Sequence, residues 1–156
     1  MINISINTVH FTYCYCKGNR DKLSISFSEL NNKNMSDSFK FGIIPSIETD
    51  KNYLPDGSVA FKTICRKYHC VSVPDDIVNN WIPLIDRIPT FLFSINRESF
   101  GIDHYAVTLI PPNSVKLFLE VILSYLEIDQ NKSIQKLIRL LNAAIDNNKY
   151  VICFGI

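Results

Sequence analysis

HYAVTLIPPNSVKLFLEVILSYLEIDQNKSIQKLIRLLNAAIDNNKYVICF, residues 104–154, decides the class of fold. His104 to Ile110 is apolar and β-branched enough to predict a strand. Pro111-Pro112-Asn113-Ser114 stops that strand and opens a helix, because proline breaks a sheet ladder but suits a first helical turn. Val115, Phe118, Leu119 and Ile122 make one stripe of a helix that the spacing carries to about Glu127. Further apolar residues around the stripe predict that it is mostly buried. A second helix opens near Ser133, where Ile134, Leu137, Ile138, Leu141 and Ile145 keep helical period, and Asn147-Asn148 closes it. Tyr150 to Phe154 is apolar on both parities, as an interior strand requires.

Working outward from this stretch, Ile88 to Ile95 predicts a buried strand. The polar connection Asn96 to Asp103 predicts a hairpin loop to the strand beginning at His104. Pro74-Asp75-Asp76 is a helix start, with two carboxylates at the positive end of the dipole. Ile77, Val78, Trp81 and either Leu84 or Ile85 would form its apolar face, and Pro83 would end or kink it. Across Ser58 to Val73, Phe61, Ile64, Cys65 and Tyr68 predict a helix and Cys70 to Val73 a short strand. Phe39 to Ile47 is apolar, and Pro45 confines it to an edge or a strand end. Tyr53 to Gly57 has turn chemistry. Nearer the start, Ile2 to Tyr15 and Leu23 to Ser28 alternate as strands around the turn Lys17-Gly18-Asn19-Arg20-Asp21, with a bend near Thr8. The expected fold is a single α+β domain over residues 1–156. It holds an antiparallel or mixed sheet of about five to seven strands, packed by two C-terminal helices and one or two central ones.

The chain has 156 residues, 47% of them hydrophobic and 20% charged, a composition that folds rather than staying disordered. A net charge of +1 supplies no pull toward nucleic acid or an anionic membrane. No apolar run reaches the roughly 18–20 residues of a membrane helix. Five cysteines, an odd number, without a basic and apolar leader predict a reduced, cytoplasmic setting rather than a disulfide scaffold. The glycines at 18, 42, 57, 101 and 155 are too scattered for a phosphate-cradling loop, so a P-loop or dinucleotide fingerprint is excluded.

Cys14 and Cys16, with Cys65, His69 and Cys70, are the residues from which a zinc site would be built. Their spacing does not match the usual tetrahedral sites, and the expectation is no metal and no cofactor. His10, His69 and His104 are the candidate acid-base groups of a small nuclease or transferase, but nothing in their spacing brings them together. Arg66-Lys67-Tyr68-His69 and the basic turn at Lys17, Arg20 and Lys22 are too short for a nucleic-acid stripe. An interaction surface remains. Arg97, Glu98, Phe100, Asp103, His104 and Tyr105 mix charge with aromatics on one connection, the composition that anchors interfaces. Asp75 and Asp76 add carboxylates that would complement a basic partner.

Fifteen asparagines, eleven lysines and twenty-two isoleucines make the kind of composition that an AT-rich gene produces. A small α+β chain of this profile, without catalytic motif or targeting segment, resembles the immunity proteins of bacterial toxin systems, especially those of contact-dependent growth inhibition. The resemblance is one of profile over the whole chain, and no motif carries it. It implies a cytoplasmic inhibitor that binds one cognate toxin domain tightly, such as a basic nuclease, and neutralises it. The alternatives are the small enzyme with a His/Cys constellation and a phage or mobile-element protein that binds a host protein.

Overall fold

Alternation of side chains along Ser38–Ile44 builds β1, the first strand among the described residues. Phe39 and Phe41 turn to one face of the sheet and Ser38, Lys40, Gly42 and Ile44 to the other. Pro45 ends the strand, which is an interior one. This computed structural model describes residues 38–54, 61–124 and 131–155, all within one compact unit spanning Asn34–Ile156. The expected hairpin of residues 2–28, its bend at Thr8, its basic turn, His10, Cys14 and Cys16 lie outside the described residues, as does most of the Tyr53 to Gly57 turn.

Helix α1 (Phe61–Lys67) leads to β2 (Val71–Pro74), the helix-then-strand order that the pattern predicts. The short helices α2 (Asp75–Asn79) and α3 (Ile82–Ile85) follow, with Pro83 accommodated in the first turn of α3. Val78, Trp81 and Ile85 are fully buried, whereas Leu84 is 59% exposed. Next come β3 (Pro89–Leu92), β4 (Glu98–Phe100) and β5 (Val107–Ile110). Helices α4 (Pro112–Leu123) and α5 (Lys132–Asp146) precede β6 (Tyr150–Phe154). The six strands form one antiparallel sheet in the order β2-β1-β6-β5-β3-β4, so the fold is α+β, with five helices among the described residues.

Helices α2, α4 and α5 pack on the face that carries Phe39, Phe41, Val151 and Cys153, where Trp81, Phe118 and Leu137 fill the core. The opposite face carries Ile44, Leu109, Ile152 and Phe154, covered by Tyr53, by Tyr68 and by Phe61 and Ile64 of α1. Such two-sided burial explains why β6 reads as apolar on both parities.

Four expectations need correction. The strand predicted over His104 to Ile110 begins only at Val107, because residues 104–106 bend toward it. Helix α4 ends at Leu123, and Leu117 and Leu123 are about half exposed, so the helix is amphipathic rather than mostly buried. The connection Asn96 to Asp103 is not a hairpin loop, because Glu98–Phe100 pairs with β3 as an edge strand. The strand predicted over Ile88 to Ile95 stops at Leu92, because Phe93 turns the chain at φ +60°, in the left-handed region.

Helix α5 carries a local test. The Asn131 carboxamide oxygen accepts from the N–H groups of Ser133 and Ile134, at 2.9 and 3.3 Å, and so caps the helix. Asn131→Ala is expected to cost about 1 kcal/mol in urea unfolding with an unchanged m-value; an unchanged midpoint would show that the cap contributes nothing.

Candidate functional site

One end of the sheet gathers most of the residues that the sequence singles out. There β1 and β5 begin and β2, β3 and β6 end, since Val107 pairs with Phe154, Phe154 with Lys40, and Lys40 with Ser72. Asp75 and Asp76 follow β2, Arg97 and Glu98 lie where β3 gives way to β4, and Asp103, His104 and Tyr105 precede β5. Edge to edge the six strands span about 24 Å. The structure therefore brings Asp103, His104 and Tyr105 together, sets Arg97 and Glu98 beside the neighbouring edge, and leaves Asp75 and Asp76 at the opposite edge. Phe100 stands across from Pro89, toward the other end of β4.

Residues 101–106 carry the chain from β4, past β3, to β5. Gly101 enters this strap at φ +66°, a conformation that favours glycine, with Asp86 Cα only 3.1 Å from where a Cβ would sit. Two buried threonines on the helix-covered face hold the strap down. Thr90 Oγ1–H donates to the Gly101 carbonyl at 2.9 Å, and Thr108 Oγ1 accepts from the Asp103 N–H at 3.2 Å. Ile102 is buried between them. The far end is fixed by His104, whose ring packs edge-on to Phe39 at 5.2 Å. Gly155 N–H donates to the Ala106 carbonyl at 3.0 Å.

This clamping leaves two aromatics uncovered: Phe100 is 64% exposed and Tyr105 78%. The Asp103 carboxylate accepts from the Tyr105 N–H at 2.8 Å, and the Arg97 guanidinium lies 5.5 Å from the Phe93 ring centre. The strap and β4 thus present exposed aromatic and charged side chains from a hydrogen-bonded backbone. Asp75 and Asp76 have a local role besides. Their carboxylates accept from the next residues' N–H groups, Asp76 and Ile77, in the first turn of α2.

The acid-base and metal candidates do not converge. His69, exposed at φ 51°, follows α1 on one face of the sheet, whereas His104 contacts Phe39 on the other. Cys65 and Cys70 do meet, through a side-chain hydrogen bond. Burial pushes both thiols up, Cys70 to about 12, so they are poor nucleophiles at neutral pH. Cys153, fully buried, is likewise pushed well above the usual thiol range by desolvation. Among the described residues, no group of three or more His, Cys, Asp or Glu side chains is placed to hold a metal ion. No described helix is long and apolar enough to cross a membrane.

Sequence reasoning missed one polar cluster. Lys40 Nζ donates to the hydroxyls of Ser38 and Ser72, and Ser72 Oγ lies 3.0 Å from Ser38 Oγ. The pairing of Lys40 with Ser72 across β1 and β2 creates it, and the sequence carries no signal for that register. Set against models of known protein families, curated proteins and solved structures, the chain matches none of them.

Proposed function

We propose that this protein is a binding protein of the immunity type, which docks in the bacterial cytoplasm on one cognate toxin domain and neutralises it by occlusion. The observation that carries this reading is the pair of exposed aromatics, Phe100 at the end of β4 and Tyr105 in the strap that follows it, whose backbone is pinned by buried threonines. Rigid aromatic side chains bury large areas at small entropic cost and commonly dominate interfaces. Arg97, Glu98 and Asp103 form a charged rim that speeds encounter and rejects wrong partners. The carboxylates of Glu98 and Asp103 suit a basic toxin, such as a nuclease, and Asp75 and Asp76 extend that acidic character at the far edge.

The test compares tagged wild type with a Phe100→Ala/Tyr105→Ala double variant in capture from source cells at low and high salt. Wild type is expected to retain one protein in near-equal amount through the high-salt wash, and to suppress that protein's toxic activity. The double variant is expected to bind it at least about 100-fold more weakly, with its thermal midpoint almost unchanged, since hot-spot truncations cost about 2 kcal/mol or more each. Equal capture by both forms, or a captured protein whose activity is unaffected, would overturn the proposal.

A further inference from the structure

We propose that Cys65 and Cys70 are a redox-modification site, a dithiol that closes to a reversible disulfide by exchange with an anionic small-molecule disulfide of the glutathione class. The end of α1 places the two residues. His69 stands in the left-handed region at φ 51°, its N–H donates to the Arg66 carbonyl at 3.2 Å, and the Cys70 N–H donates to the Cys65 carbonyl at 2.9 Å. These are the paired closing bonds of a Schellman motif, whose first residue past the left-handed position packs against the last turn of the helix. Cysteine occupies both of those contact positions. With Cys65 O and Cys70 N joined by that bond, the two Cα atoms lie no more than about 6.8 Å apart even at full extension, and disulfides span about 4.4–6.8 Å. The side chains meet as well, since the Cys70 S–H donates to Cys65 Sγ, and both are free thiols.

Cys65 is the attacking thiol. Burial raises both groups, but the bond between them lowers Cys65 and raises Cys70, so the thiolate forms first at Cys65. The Lys40 ammonium favours the thiolate at both positions and draws in an anionic disulfide. The Cys65 thiolate attacks one sulfur of the small disulfide, whose S–S bond breaks; one thiolate leaves and a mixed disulfide remains on Cys65. Cys70, on losing its proton, attacks Cys65 Sγ and expels the second thiolate. Two electrons pass from the pair to the small disulfide, and the two cysteine protons end on the two released thiols. Because burial keeps the thiolate fraction small at neutral pH, closure is slow. The new bond ties the last turn of α1 to the start of β2 above Gly42, where Cys70 Sγ sits 2.9 Å from the place of a Cβ. Oxidation therefore stiffens the corner that covers Phe154. The site is separate from the aromatic strap, and its existence does not depend on the immunity reading.

The experiment equilibrates the reduced full chain at pH 8 with low-millimolar oxidised and reduced glutathione, quenches it by alkylation and maps it with trypsin without reductant. Trypsin cuts after Lys62, Arg66, Lys67 and Arg87, so the disulfide appears as residues 63–66 joined to 68–87. That product is distinct from any disulfide of Cys14, Cys16 or Cys153. In the folded protein the joined pair is expected to exceed glutathione-capped Cys65 by about tenfold or more, because the second thiol is already in place. The ratio should fall several-fold in the urea-unfolded chain, and dithiothreitol should reverse the bond. In Cys70→Ser, Cys65 should instead keep its glutathione cap. Should that variant not fold, the comparison of wild type with and without urea decides. No joined pair in the folded chain, glutathione-capped Cys65 as its main product, or the same ratio folded and unfolded would overturn the inference.

Discussion

Stopping the chain after Lys149 is expected to abolish cooperative unfolding. Strand β6 is hydrogen-bonded to β1 on one side and to β5 on the other, so its loss severs β2–β1 from β5–β3–β4. It also empties both cores at once, since Val151 and Cys153 leave the helix-covered face while Ile152 and Phe154 leave the other. Burial of Val151, Ile152 and Phe154 alone contributes roughly 5–9 kcal/mol. That is comparable to the whole net stability of a domain, about 5–15 kcal/mol. Near-UV circular dichroism should lose its fixed aromatic bands and the thermal transition should flatten. Ile152→Asp, which keeps the chain length but buries a charge between Leu109 and Gly42, should behave the same way. A sigmoidal melt with native near-UV signal in either form would contradict the placement of β6 at the centre of the sheet.

That central position is legible in the sequence, and the reason is local. Residues buried on both faces leave an apolar run with no polar parity, and α5 leaves a 3.6-residue stripe. The stripe is in fact wider than its clearest members, since Leu140 and Ala144 are buried with Ile134, Leu137 and Leu141. The left-handed Asn148, at φ 49°, ends the helix as asparagine is suited to do. Strand β4 was not legible, because three residues carry no measurable period and an edge strand is defined by its partner. Phe93 is apolar and reads as strand, yet tertiary contacts turn it. Its N–H donates to the Val107 carbonyl and its own carbonyl accepts from the Tyr53 N–H.

The candidate surfaces divide in the same way. Phe100 and Tyr105 were legible as aromatics on a polar connection. What pins them was not, because Thr90 and Thr108 read simply as β-branched strand residues. The Ser38–Lys40–Ser72 cluster was invisible for a further reason: it joins residues 32 apart in sequence through a strand register that no local pattern encodes.

The same register makes Gly42→Ala the most damaging single-methyl change expected on β1. Gly42 lies on the face where the chain leaving α1 comes down onto the sheet, and Tyr68 O accepts from the Ile43 N–H at 3.0 Å. A Cβ at position 42 would meet Tyr68 Cβ and Tyr68 O at 2.7 Å and Cys70 Sγ at 2.9 Å. The first two belong to the backbone or are fixed to it, so no rotamer change relieves them. The α1–β2 corner must lift, which stretches that hydrogen bond and uncovers Phe154, against which both Phe61 and Tyr68 pack. Overpacking of this kind costs about 1–3 kcal/mol, and a buried group losing its partner a similar amount, so a loss of roughly 3–4 kcal/mol is expected. In denaturant unfolding the midpoint should fall with little change in slope. Cys70 supplies an independent readout. Its thiol, held near 12 by burial, should react slowly with an alkylating reagent at pH 8 in wild type and several-fold faster once the corner has lifted. A variant within about 0.5 kcal/mol of wild type, with unaltered thiol reactivity, would show that Tyr68 does not sit over Gly42.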